Sequence, residues 1–106
     1  MITVTIYKRS GQYNGFTVSG HAGYGEEGSD IVCAAVSVLT LNTLNSIESF
    51  TEDAFSGEQK DGFLSCQFPD KLSESSVLLM DSMVLGLTDI QHNYGKPYIR
   101  IVFKEV

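Results

Sequence analysis

Between Ile31 and Ser49 apolar residues recur too densely for a helix with one wet face: Ala34, Ala35, Val38 and Leu41 fall on one side, and Val36, Leu39, Leu44 and Ile47 on another. Such a helix is expected to be largely buried, so the rest of the chain must supply partners for more than one of its sides. It supplies strands. Residues 1–8 alternate apolar and polar, residues 10–15 carry turn chemistry, and residues 16–20 resume the alternation, which predicts a hairpin with His21 at the end of its second strand. Residues 54–57 and 63–68 flank the polar run 58–62, whose Asp61-Gly62 pair is a second hairpin signal. Ser73 is a candidate N-cap for a second helix, with Met80, Met83, Val84, Leu87, Ile90 and Tyr94 on one stripe; Gly95 and Pro97 stop it, and residues 98–105 close the chain as a strand. The strand-helix rhythm repeats too rarely for a doubly wound parallel sheet. The expected fold is α+β, mainly antiparallel strands packed with two α-helices in a single compact domain over residues 1–106.

Composition narrows the function classes. With 42% hydrophobic and 19% charged residues, 106 residues can bury a core without staples. Seven Lys and Arg stand against thirteen Asp and Glu, a net charge of −6, and the basic residues cluster only at Lys8-Arg9. A nucleic-acid or anionic-membrane surface is therefore not expected, and a basic partner suits the chain better. Two cysteines of different local character do not make a disulfide framework, and the alternating N-terminus is unlike a signal peptide, so a reducing cytoplasm is the expected setting. No apolar run is expected to approach the ~18 residues of a membrane span.

Chemistry concentrates in residues 20–37. His21 and Cys33 are joined by a Gly-dense loop, and Cys33 arrives just after the helix-start signal Ser29-Asp30. A thiol in a helix's first turn meets unpaired backbone N–H groups and the positive end of the macrodipole, which favour the nucleophilic thiolate. The N–H groups of about Val32 to Ala34 are candidate oxyanion donors. Each residue also has a plainer role: Cys on an apolar helix is usually core, and His after Gly at a strand end is often a turn residue. Cys66, between Phe63 and Phe68, is expected to be core, and His92 a surface residue near a helix C-terminus. Asp30 is either the N-cap of the helix or the group that orients His21. Ser37, one turn past Cys33, either bonds near the site or back-bonds into the helix. The four His and Cys residues lack a compact metal spacing, so no metal is expected. Gly23-Tyr24-Gly25-Glu26-Glu27-Gly28 satisfies GxGxxG, yet two glutamates occupy the place of phosphates and no Lys or Arg is near in sequence. The loop Ala22, Gly23, Tyr24, Gly25, Glu26, Glu27, Gly28 and Ser29 is instead expected to have little to pack, to be mobile, and to order on a bound peptide.

The run Gly20-His21-Ala22 through Gly28 and Asp30-Ile31-Val32-Cys33-Ala34-Ala35-Val36-Ser37 resembles the signature of the bacterial ribosomal-processing cysteine protease family, Prp. That resemblance implies a cysteine endopeptidase with His21 and Cys33 as its catalytic pair and Gly20, Asp30 and Ser37 in supporting positions. It further implies a homodimer without a cofactor. The implied substrate is the short N-terminal extension of the large-subunit ribosomal protein numbered twenty-seven, cut after an aromatic residue. The sequence offers no clear third residue to orient His21. Two other classes compete: a non-catalytic peptide- or protein-binding module that uses the Gly-rich loop, and a redox or acyl-carrying thiol.

Overall fold

The computed structural model of the chain describes residues 1–26 and 29–106. Strands β1 (Ile2–Arg9) and β2 (Gln12–Ser19) form the first hairpin, helix α1 (Ile31–Phe50) follows, β3 (Ser56–Lys60) and β4 (Phe63–Gln67) form the second hairpin, and α2 (Glu74–Tyr94) leads into β5 (Ile99–Glu105). The five strands make one sheet in the order β3-β4-β2-β1-β5. Three of its pairings are antiparallel; β5 returns beside β1 in parallel, Ile2 opposite Ile99 through Lys8 opposite Glu105.

Alternation along β1 turns Ile2, Val4 and Ile6 to one face, where they meet Phe16, Cys66 and Ile99 from the other strands. Val32, Val36, Leu44 and Ile47 of α1 and Met80, Met83, Leu87 and Ile90 of α2 join them in one core. Each such side chain contributes roughly 1.5–3 kcal/mol by leaving water. Thr3, Thr5 and Tyr7 point the other way and stay half-buried. Two buried threonines of α1 return their hydroxyls to the helix, Thr40 to the Val36 carbonyl at 2.9 Å and Thr43 to the Leu39 carbonyl at 2.7 Å. The joint between the helices is polar: Ser73 caps α2 and donates to Asp53 Oδ2 at 2.6 Å, while the buried Ser76 reaches Thr51 at the end of α1.

Four expectations need correction. The first turn is only Ser10-Gly11, both at positive φ (51° and 77°), so residues 12–15 belong to β2 and Tyr13 enters the core. Two left-handed residues suffice for a tight hairpin, and the polar run had masked the strand. β3 begins at Ser56 and runs to Lys60 as a fully exposed edge strand, for which there is no apolar pattern to read. The helix α1 buries one stripe and leaves Val38 at 67% and Phe50 at 79% exposed, because the sheet and α2 together cover only that side of it. Finally, against the expectation that no apolar run approaches a membrane span, α1 is long and apolar enough by length and composition to cross one. In this fold its apolar stripe is spent on the sheet and α2.

Candidate active site

The chain leaves the sheet at Ser19 through Gly20, which has φ +92° and whose missing Cβ would collide with the Met1 carbonyl oxygen. Glycine alone fits that turn. The Gly20 N–H donates to the Gly62 carbonyl at 2.9 Å, so the exit from β2 is fastened to the turn of the β3–β4 hairpin. His21 follows. Its exposed ring lies against the bare Cα of Gly62, where a Cβ would come within 3.0 Å of Nε2. Gly62 itself has φ +70°, the conformation that its Asp-Gly turn requires.

Cys33 occupies the first turn of α1, half-buried, and the N–H directed at its Sγ is that of Ala22, at 3.2 Å. Asp30 is the N-cap: its Oδ1 accepts from Val32 N–H at 3.0 Å and Cys33 N–H at 3.1 Å. The next amide, Ala34 N–H, donates to the Asp30 carbonyl at 3.0 Å. All three N–H groups expected to serve an oxyanion are thus already engaged. The reason is local: the Asp cap takes two of the donors that a helix start would lend to an anion, and the third makes the first helical bond to the Asp30 carbonyl.

Asp30 does more than cap. Its Oδ2 accepts from Tyr24 N–H at 2.9 Å and Gly25 N–H at 3.4 Å, so one carboxylate binds the loop to the helix it precedes. Desolvation opposes its charge, yet the backbone donors of Cys33, Tyr24, Gly25 and Val32 prevail and hold the carboxyl below its ordinary value. No hydrogen bond joins Asp30 or Cys33 to the His21 ring among the described residues.

Two clefts meet at this place. One, of about 490 Å3, runs between α1 and the β3–β4 hairpin, with Val18, Val36, Leu41, Phe63 and Leu64 among its walls. The other, of about 420 Å3, is bounded by Gly23, Gly25, Asp30 and Ala34. His21, Cys33 and Ser37 border both. Ser37 is exposed. Glu27 and Gly28 lie outside the described residues; of the rest of the loop, Ala22 is buried, Glu26 is exposed with its carbonyl accepting from Ser29, and Tyr24 packs on two aromatic rings. The expectation of a loop with little to pack therefore fails at Ala22 and Tyr24, while Gly23 and Gly25 are exposed.

The remaining chemical residues lie apart. Cys66 is in the core, and burial pushes its thiol up to about 12. His92 is exposed in the last turn of α2. Two contributors had no signal in the sequence alone: the Ala22 N–H, a backbone group, and Gly62, which reads only as a hairpin turn until the fold brings it to His21.

Comparison with known proteins gives a consistent picture. The sequence model of the cysteine protease Prp family matches residues 1–100. The ribosomal processing cysteine protease Prp of Staphylococcus aureus is 29% identical over 107 residues, spanning 98% of this chain and 100% of the relative. Two crystal structures of the S. aureus protease superpose closely. The one in complex with a covalently linked product peptide has a TM-score of 0.92 at 30% identity; the one in complex with a substrate peptide has 0.87 at 29%. Each covers 98% of this chain and 100% of its own.

Proposed function

The chain belongs to the cysteine protease Prp family, and from that membership we propose that it removes the N-terminal extension of large-subunit ribosomal protein twenty-seven, with His21 and Cys33 as its catalytic pair, as a cofactor-free cytoplasmic homodimer. The cysteine-protease activity itself is the family's. The observation that carries the finer reading is that His21 and Cys33 border both clefts, so a peptide lying across the two would pass over the thiol.

The chemistry is that of an acyl transfer. His21 accepts the Cys33 proton, and the sulfur attacks the scissile carbonyl carbon to form a C–S bond. Collapse of the tetrahedral intermediate expels the amine, which leaves with the proton held by His21. A thioester remains on Cys33; water, deprotonated by His21, attacks it and releases the N-terminal fragment while the thiol regains its proton. Ala22 N–H holds the sulfur in place between cycles. Because the helix-start amides are bonded to Asp30, the oxyanion must be served by other groups, and the Ser37 hydroxyl on both clefts is one candidate. The smaller cleft, the more apolar of the two, suits an aromatic side chain before the cut. The outward Leu78 and Leu85, 69% and 65% exposed and two turns apart on α2, support a second copy.

Incubation with the ribosomal protein precursor, followed by intact mass, tests the substrate. One cut after an aromatic residue, absent with Cys33→Ala, is the expected result; an intact precursor would reject that substrate, and cutting by Cys33→Ala would reject the nucleophile.

A further inference from the structure

Tyr24 borders neither cleft, yet it sits on the segment that supplies the amide to Cys33. Its ring stands edge-on to Tyr94, with centroids 5.3 Å apart at 89°, and to Tyr98, 5.0 Å apart at 76°. Those two rings come from the other end of the chain: Tyr94 is the last residue of α2, and Tyr98 immediately precedes β5, where its carbonyl accepts from Ile2 N–H at 2.9 Å. Between His21 and Gly25, Tyr24 is the one large side chain; its neighbours are Ala22, Gly23 with φ +71°, and Gly25. Glycines on both sides give this stretch no conformational preference of its own. Its position is therefore set from outside, by Asp30 Oδ2 on the backbone of Tyr24 and Gly25 and by two aromatic rings on the side chain of Tyr24.

We propose that Tyr24 is a positioning residue of the protease: clasped between Tyr94 and Tyr98, it holds residues 22–25 in the one arrangement that keeps the Ala22 N–H on Cys33 Sγ. The proposal rests on Cys33 as the attacking group. Its logic is geometric. Ala22 and Tyr24 are two residues apart on the same short segment, so a displacement of the ring that turns the backbone at Gly23 also turns the Ala22 amide away from the sulfur. The clasp draws on the ends of α2 and β5, elements that carry no cleft residue, and so ties the thiol site to the far edge of the sheet. Edge-to-face pairs favour the packed arrangement by about two- to tenfold each, and two of them suffice to bias a short glycine-flanked segment.

The test uses the full chain and four proteins: wild type, Tyr24→Ala, Tyr24→Phe and Tyr98→Ala. For each, kcat and KM are measured on a peptide carrying the precursor cleavage site, and amide hydrogen exchange is followed at Ala22 without substrate. Loss of the clasp in Tyr24→Ala and Tyr98→Ala is expected to lower kcat about tenfold with KM within about twofold, and to speed Ala22 exchange about tenfold. Tyr24→Phe, which keeps the ring, stays within about twofold of wild type in all three. Unchanged kcat and exchange in Tyr24→Ala overturn the proposal. So does a Tyr24→Phe enzyme as impaired as Tyr24→Ala, which would make the hydroxyl the working group, or a raised KM at constant kcat, which would make the ring a substrate contact. Ala22 exchange needs no turnover, so it judges the clasp even where Cys33→Ala keeps cleaving and the protease assignment of Cys33 falls. Should Tyr98→Ala not fold, Tyr24→Ala decides alone, since Tyr24 is 43% exposed.

Discussion

The chain's two cysteines carry the same atoms into opposite surroundings. Cys66 is the next-to-last residue of β4, paired with Phe16 across the sheet and 2% exposed, where burial pushes its thiol up to about 12. Cys33 sits in the first turn of α1, half-buried, with an amide on its sulfur and a cleft on either side. The side chain is common; the backbone around it differs. Cys66 lies on a strand paired on both sides and joins the apolar core, so the thiol behaves as a small hydrophobe. At Cys33 the chain has just left a glycine-rich turn, and Ala22, brought back by that turn, offers its N–H to the sulfur. In the proposed function, what sets the two thiols apart is the route the backbone takes past each sulfur.

Activity should separate the two sites most sharply. Cys33→Ala removes the proposed attacking atom and is expected to lower peptide cleavage by on the order of 10^4-fold or more. Cys66→Ala deletes one buried sulfur and leaves a small void. It is expected to cost about 1–2 kcal/mol of stability in denaturant unfolding while leaving kcat within about twofold well below the melting temperature. A Cys66→Ala enzyme that folds but cannot cleave would break the comparison, because it would give the core thiol a chemical part.

Alkylation of the native enzyme with iodoacetamide is the next largest contrast. A thiol at about 12 is ionised in only about one molecule in 10^5 at pH 7, and Cys66 is also out of reach of the reagent. Peptide mapping is expected to find Cys33 modified at least about a thousandfold faster, with Cys66 labelled only when urea unfolds the chain. Equal labelling before unfolding would mean that the core around β4 opens readily.

How far the sequence carried this picture depends on what each feature needs. Both helices were legible, with Asp30 and Ser73 at their starts and Gly95 as the stop, because capping and apolar periodicity are written in neighbouring residues. The Asp61-Gly62 turn was legible for the same reason. The parallel return of β5 beside β1 was not, since a pairing across most of the chain leaves no local mark. At the site, the segment holding His21 and Cys33 stood out by residue type. Its support did not. That Asp30 would spend both carboxylate oxygens on four backbone amides, and so withdraw the helix start from the oxyanion, follows only once the loop is folded back over it. Tyr24 read as one more residue of a loose loop until Tyr94 and Tyr98 were beside it.

The smallest effect sharpens the contrast by pH. Cys66 holds its proton in the folded chain up to about 12, against the usual 9 of an exposed thiol in the unfolded chain. Below pH 9 both states keep the proton and Cys66 adds no pH dependence. Between about 9 and 12 the unfolded state releases it while the folded state does not, so unfolding becomes easier by up to about 1.4 kcal/mol per pH unit. The sign is loss of stability as pH rises. Other groups, tyrosines and lysines included, titrate over the same range, so the measurement is a difference: urea midpoints of wild type and Cys66→Ala from pH 7 to 10. The variant starts lower by the cost of its void, and the gap is expected to narrow above pH 9, since alanine has no proton to lose. A gap that stays constant to pH 10 would show that the Cys66 thiol titrates alike in both states, and its distinction from Cys33 would then lie in access alone.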